Sequence, residues 1–551
     1  MARSTTTTSL ELRQHWLHRR EVALLDVREE GPYAESHPFF ALSVPVSELE
    51  ARLPALVPRL AAPIVVYDNG EGYVDRAVAR IAALGYRDVS ILDGGLAAYV
   101  RVGEVFRDVN VPSKAFGELV AAIRRTPSLP ALEVKRVLEE SGGRHDDDDD
   151  DDDDDDNNDV VVLDARRFEE YHTMTIPGSR SCPGGELLYR LFDAAPDPAT
   201  TVIVHCAGRT RSIVGAQSLV NAGVPNKVVA LENGTIGWTL AGFDLDTGKD
   251  ARVGPPSTAG VQRAREHARA WARHVGVSVI DADQLALFTA SAEDRTLYLL
   301  DIRDPEEYAR GHPDGFVSAP GGQLVQATDE WVGVRGARIV LYDTDGVRGL
   351  MTASWLLQLG WDVHVLQEDV TPPGGLHQAR QPPSWHTRNS TSGITVEELE
   401  SRLGDAAVVD LARSPTYRKG HIPGAWFASG PELARDLVRV PGTGPIVLTS
   451  PDGAVSSANV EHASQAIAGP SSVRQLLHLV GGTAAWKAAG YALDTEPKWL
   501  SEPIDVYKRP YEGTGNAEKD MQGYIDWEHG LVAQVANDGI ACFHVVREQT
   551  A

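Results

Sequence analysis

Cysteine is scarce in this chain: 551 residues hold three, Cys182, Cys206 and Cys542. Three widely spaced thiols exclude a disulfide scaffold and a four-ligand zinc site, and no metal or cofactor is expected. In a reducing compartment, a sparse cysteine in a well-shaped loop is a candidate nucleophile. Long apolar runs are missing as well. No stretch approaches the roughly 20 residues a membrane helix needs. The Thr-rich start, Met1 to Glu11, lacks the apolar centre of a secretory signal. A cytoplasmic protein without membrane contact is the expectation. Positive charge is also short, with 52 Lys and Arg against 78 Asp and Glu. That balance argues against nucleic acid as a partner, because phosphate binding wants a basic surface. The acidity is unevenly spread: an unbroken run from Asp146 to Asp156 supplies eleven charges of the net −26. Such a run repels itself and cannot be buried, so a solvated, disordered loop is expected at 146–156.

What the sequence has in abundance is repetition. Four short apolar runs end in Asp26, Asp164, Asp301 and Asp410. An arginine follows two or three residues later (Arg28, Arg166, Arg303, Arg413), and a tyrosine falls seven after each aspartate (Tyr33, Tyr171, Tyr308, Tyr417). A second β-branched run then enters a turn at Asp68, Cys206, Asp343 and Ser450, which lie 42, 42, 42 and 40 positions after their aspartates. Short apolar runs bounded by turn residues read as buried strands, and the stretches between them have helical period. Alternating strands and helices imply parallel sheets with helices on both faces. Ligands then sit beyond the carboxyl ends of the strands, where these four turn residues lie. Gly254-Pro255-Pro256-Ser257, Pro372-Pro373-Gly374-Gly375 and Pro382-Pro383 read as links between copies. After Pro497, Tyr524, Trp527, Leu531 and Val535 recur at helical spacing, predicting a helix over 517–535 that docks on the domains.

The turn at Cys206 reads His-Cys-Ala-Gly-Arg-Thr-Arg-Ser, between a β run and a helical segment. A strand, a short glycine-containing turn and a helix point successive backbone N–H groups into one concavity. With the positive end of a helix dipole and two arginines, that concavity favours an anion and a thiolate. The alternative is a packed structural cysteine.

On this loop the chain resembles the rhodanese superfamily, whose active loop is a cysteine, a short turn with Gly and Arg, then Ser or Thr. Supporting motifs are Asp164-Ala165-Arg166, Ile176-Pro177-Gly178-Ser179 and Asn233-Gly234 with Trp238. The fourth copy adds Gly420-His421-Ile422-Pro423-Gly424-Ala425 and Gly481-Gly482-Thr483-Ala484-Ala485-Trp486. Pro183-Gly184-Gly185 and Pro320-Gly321-Gly322 are similar to turns of bacterial multi-rhodanese proteins. The resemblance implies an α/β fold of four tandem rhodanese-like domains, each a mainly parallel sheet flanked by helices, with a partly helical tail. Their expected bounds are 5–108, 127–250, 272–370 and 390–497, with the tail at 498–551.

The same resemblance implies persulfide chemistry. Cys206 would take the outer sulfur of thiosulfate or a related donor and pass it to cyanide or a thiol, in two half-reactions. The N–H groups of Ala207, Gly208, Arg209, Thr210 and Arg211, with Ser212 closing the turn, would cradle the sulfur, and Arg211 and Arg209 would hold the donor. Asp164 and Arg166 are expected to brace strand ends beside the site. Gly184, Gly185 and Trp238 stand in its surroundings. Cys182 either resolves the persulfide or is simply packed. The copies with Asp68, Asp343 or Ser450 cannot carry a persulfide and are expected to serve packing, the active-site walls or binding of a partner protein. Arg348, five after Asp343, is expected to pair with it and close a degenerate loop. Two other functions stay open: a non-catalytic sulfur carrier or adaptor, and a cysteine phosphatase. Phosphatases of this fold resemble His-Cys, five residues, then Arg. Here four residues separate Cys206 from Arg211, a tighter turn that suits one sulfur atom better than a phosphate.

Overall fold

The computed structural model describes residues 5–142, 160–367, 392–467, 474–509 and 515–547, with the short strand Leu376–His377. The acidic run at 146–156 and the proline links at 372–375 and 382–383 lie outside the described residues. The chain forms two compact units nested in sequence. One comprises Met1–His15, Val22–Val109 and Arg380–Lys508, and so holds the first and fourth copies. The other comprises Trp16–Glu21, Asn110–Ala379 and Arg509–Ala551, and holds the second and third copies with the tail from Arg509 on. The start of the expected tail, 498–508, falls with the fourth copy, where Lys498–Trp499 pairs with Trp426–Phe427. No helix among the described residues is long and apolar enough to cross a membrane.

Every copy is an α/β domain on a parallel sheet. In the second copy the strand order is Arg180–Ser181, Val160–Asp164, Thr201–His205, Lys227–Leu231, Ser128–Leu129. The third repeats it with Val317–Ser318, Leu297–Asp301, Arg338–Tyr342, Asp362–Leu366 and Ser278–Ile280. The two long apolar runs of each copy are therefore adjacent central strands, which is why apolar residues run through their middles without alternation. The fourth copy shows how such strands build two cores. Val408 and Val447 face a cluster with Leu399, Ile422 and Trp486, while Val409 and Leu448 face Leu433, Leu437 and Val460. Successive side chains point to opposite faces of a strand, so both sides of the sheet are buried.

The repeated tyrosine has a local cause: in all four copies its hydroxyl donates to the backbone carbonyl eight residues on, at Ala41, Ser179, Phe316 and Ala425. Asp and Arg two residues apart form a buried pair at Asp26–Arg28, Asp164–Arg166 and Asp301–Arg303, each with a 2.6 Å contact. The fourth copy departs from this. Arg413 is one residue further on and reaches Glu30 at 2.6 Å instead. Asp410 is left without a cation, and burial pushes its carboxyl up to about 7. Arg413 is thus not the counterpart of the other three arginines.

In the second unit, Ser257 caps the helix Thr258–Val275 through the Gly260 N–H at 3.0 Å. That helix touches both domains, with His267 against the Ala222 carbonyl and Trp271 Nε1 donating to Ser354 Oγ. The tail helix, Ala517–Asp538, packs along the helix Val111–Arg124. Its buried residues are Ile525, Glu528, Leu531 and Asp538. The expected apolar stripe is thus rotated: Tyr524 and Trp527 are half-buried, and a carboxyl takes a central place.

Candidate active site

Cys206 directly follows the strand Thr201–His205, and the helix Thr210–Ala222 starts four residues later. Its Sγ lies 2.9 Å from Ser212 Oγ and accepts the Ser212 N–H at 3.3 Å. A second turn fixes the loop from outside. Thr235 N–H donates to the Cys206 carbonyl at 2.9 Å and Ile236 N–H to the Ala207 carbonyl at 3.0 Å. A trans peptide sets its N–H opposite its C=O, so the amides of Ala207 and Gly208 point away from that turn. Gly234 makes the approach possible: its φ is +53°, and a Cβ there would sit 2.3 Å from the Cys206 carbonyl oxygen. Asn233-Gly234 is therefore a backbone brace for the cysteine loop.

Both loop arginines are engaged by carboxylates. Arg211 forms a two-bond pair with Glu170 at 2.7 and 2.8 Å. Burial opposes the Glu170 charge, yet Arg211 brings its carboxyl down to about 2. Arg209 pairs with Glu118 at 2.6 and 2.9 Å and donates to Asn233 Oδ1 at 2.9 Å. Forked guanidinium pairs of this kind pin the loop. The thiol is also less open than an exposed pocket would make it, at 2% exposure.

The remaining residues singled out in the sequence divide clearly. Asp164 and Arg166 are buried behind the loop, and the Arg166 guanidinium reaches the Met174 carbonyl at 2.5 Å. Burial works against the Asp164 charge, but His205 and Arg166 together hold it below the ordinary carboxylate range. Trp238 is buried and donates from Nε1 to the Asp244 carbonyl, a packing role behind the second turn. Cys182 is a buried free thiol pushed by burial up to about 12, which disfavours the thiolate a resolving nucleophile needs. Gly184 and Gly185 face the third copy, where a Cβ on Gly185 would lie 2.7 Å from the Gly322 nitrogen. The two Pro-Gly-Gly turns thus pack backbone to backbone. Beside them a pocket partly open to solvent is walled by Phe116, Thr210, Arg211, Val325, Met351 and Trp355, among others. Arg348 does not pair with Asp343: its partners are Asp345, Glu186 and Glu307 at 2.7, 2.8 and 2.5 Å.

Sequence reasoning passed over Glu170, Glu118 and Glu528. Glu170 had a signal. A glutamate precedes the repeated tyrosine only in the second and third copies (Glu170, Glu307), and only those copies carry an arginine five after the turn residue (Arg211, Arg348). Residues that appear and vanish together are candidates for contact. Glu118 and Glu528 reach the loop from distant segments with no repeat to betray them.

A family model described as the rhodanese-like domain matches residues 9–101, 150–241, 283–371 and 395–489. The solved structure of a thiosulfate sulfurtransferase from Pseudomonas aeruginosa is 47% identical, with a TM-score of 0.87 over 98% of this chain and 100% of that one. A rhodanese-related protein from Thermoplasma volcanium is 20% identical over 19% of this chain and 98% of its own, with a TM-score of 0.17. The Alr3790 protein from Anabaena sp. is 26% identical over 20% of this chain and 86% of its own, with a TM-score of 0.17. No curated protein matches. Four matched segments and one relative alike along nearly the whole length place the chain in the rhodanese-like domain family, as a protein of four tandem domains.

Proposed function

We propose that this protein is a sulfurtransferase that moves sulfane sulfur from thiosulfate or a related donor to a thiol or cyanide through a persulfide on Cys206. The observation that carries the reading is the Cys206 turn: a thiol at a strand end, met by the Ser212 N–H at 3.3 Å, with the next two carbonyls drawn outward by Thr235 and Ile236. The likeness to a thiosulfate sulfurtransferase over 98% of the chain supports the same class of reaction.

In the first half-reaction the Cys206 thiolate attacks the outer sulfur of thiosulfate. A Cys206 S–S bond forms, the S–S bond of the donor breaks, and sulfite leaves with that bonding pair. In the second, cyanide or a thiolate attacks the outer sulfur, and the Cys206 thiolate departs. Amides turned into the loop would hold the outer sulfur as an anion, acting as a preorganised N–H pocket does for an oxyanion. The ion pairs at Arg209 and Arg211 keep that loop in shape. The Cys-to-Arg spacing favours this chemistry over phosphate-ester hydrolysis, because the loop is one residue shorter than phosphate enclosure uses.

Cys206→Ala is expected to abolish thiosulfate:cyanide turnover, a fall of about a thousandfold or more, and to remove the one-sulfur mass gain after thiosulfate treatment. Surviving turnover would refute the assignment. Mass gain without turnover on cyanide or small thiols would favour a sulfur carrier, with the cysteine-free domains recruiting a partner protein. Aryl-phosphate hydrolysis lost in the same variant would favour a phosphatase.

A further inference from the structure

The tail helix brings a carboxyl to the outside of the Cys206 loop. Glu528 is 2% exposed, and its Oε2, buried, has no hydrogen-bond partner. That atom would lie 3.6 Å from a Cβ built on Gly208, with the Tyr524 ring at 3.7 Å from the same point. Glu528 Oε1 accepts from the Tyr524 hydroxyl at 3.2 Å. An unpaired carboxylate oxygen is costly to bury, whereas a protonated one is tolerated.

From this placement we propose that Glu528 is a positioning residue: uncharged, it latches the tail helix onto the Cys206 loop, and its ionisation loosens that loop. The inference rests on the sulfur-transfer reading only for its effect on turnover. The charged and titratable groups around Glu528 come from three elements. The helix Val111–Arg124 supplies Lys114 and Glu118, the loop supplies Arg209, and the tail helix itself supplies Tyr524 and His529, the latter 3.5 Å from Glu118. The helix Gly234–Leu240, which also meets the tail, has no titratable side chain. Burial pushes Glu528 up to about 7, with Glu118 adding to the rise and Lys114, Tyr524 and Arg209 opposing it.

The direction follows from linkage. A carboxyl raised above its unfolded value contributes stability that is complete below that value and is lost as pH rises through the folded one. Below pH 7 the uncharged acid lies against Gly208 and leaves Arg209 to Glu118 and Asn233. Above it, the new carboxylate repels Glu118 and competes for Arg209, whose fork holds the loop. With Cys206 at 2% exposure, a looser loop should admit the donor faster.

The test compares the full-length protein with Glu528→Gln, which mimics the uncharged acid at every pH, and with His529→Gln, which removes the neighbouring titratable ring. Two readouts are taken from pH 6 to 8.5: hydrogen–deuterium exchange of the 206–212 segment corrected for intrinsic rates, and the rate of sulfur uptake from thiosulfate. Loop exchange in the unsubstituted protein and in His529→Gln should rise about tenfold relative to Glu528→Gln, tenfold being one pH unit of linkage. The uptake ratio should rise with it. Exchange ratios that stay flat or fall, or that follow His529, would overturn the latch. If no form takes up sulfur while the exchange difference persists, the latch stands and the sulfur-transfer reading falls.

Discussion

The loops at Cys206 and Asp343 belong to one unit and share one backbone plan, yet they hold their central side chains differently. In each, a five-residue strand ends at the turn, and the residue six further on sends its N–H back: Ser212 to Sγ at 3.3 Å, Gly349 to Asp343 Oδ2 at 2.8 Å. The same return bond appears at Asp68 from Val74 and at Ser450 from Ser456. The turn therefore accepts an electron-rich atom at its centre whatever the side chain. At Asp343 the carboxyl fills this role itself, and burial, reinforced by the nearby Asp345, pushes it well above the ordinary carboxylate range. At Cys206 the return bonds come from Ser212. The difference between the loops is thus one of occupancy and not of fold.

The sharpest contrast lies in the arginines five residues after each centre. Arg211 serves one carboxylate, Glu170, whose side chain is 18% exposed. Arg348, 1% exposed, serves three: Asp345, Glu307, and Glu186 from the neighbouring domain. Removing one partner of a buried ion pair strands charge and costs about 3–5 kcal/mol. Arg348→Met should reach that range, whereas Arg211→Met should cost about 1–3 kcal/mol, since Glu170 regains water. Urea midpoints of the two variants measure this. Equal losses would break the comparison, because Arg348 would then be no more a structural hub than Arg211.

The fourth copy sharpens the comparison from the other side. Ser450 reproduces the Cys206 geometry, taking the Ser456 N–H at 3.2 Å with Ser456 Oγ at 3.3 Å. Two features are missing, however. Pro451 has no N–H to offer, and Val455 stands where Arg211 stands in the second copy. Placing a thiol there, Ser450→Cys with Cys206→Ala, should allow sulfur uptake about 100-fold slower than at Cys206, the usual cost of losing a preorganised donor. Intact mass against time after thiosulfate reads it directly. Uptake at the Cys206 rate would show that the amide of residue 207 and the arginine contribute nothing.

Much of this was legible in the sequence, and the limits have physical causes. The fourfold α/β plan and the cysteine loop were plain because both depend on local pattern: apolar strands, a glycine turn, a helix, and fixed spacings from Asp164 to Tyr171 and Cys206. The carboxylate partners of Arg209 and Arg211 were hidden because a guanidinium in an anion-friendly turn has the same sequence whether it binds a ligand or a carboxylate. Only the fold brings Glu118 and Glu170 against them. Arg413 shows how little spacing alone fixes: it stands one residue further from its aspartate than the other three arginines, and its side chain goes to Glu30. Glu528 was hidden by its own helix: at the position of a charged surface residue, it turns inward onto a loop more than three hundred residues earlier in the chain.

The smallest expected effect is the most discriminating about charge. Asp164 and Asp343 are both buried carboxyls in the same unit, but Asp164 is held below the ordinary carboxylate range beside Arg166 while burial pushes Asp343 well above it. Asp343→Asn keeps an acceptor for one of the Gly346 and Gly349 N–H groups and removes no charge, so it should cost less than about 1 kcal/mol at pH 7. Asp164→Asn breaks the bidentate pair and should cost about 3 kcal/mol. The pH dependence gives the sign independently. A carboxyl with a raised folded value favours the native state at low pH and loses that contribution as pH rises, so Asp343→Asn should gain stability relative to the unsubstituted protein between pH 5 and pH 8. Urea midpoints at the two pH values provide the measurement. A variant whose relative stability stays the same at the two pH values would mean that Asp343 is already ionised at pH 5, and that its loop is built to hold an anion.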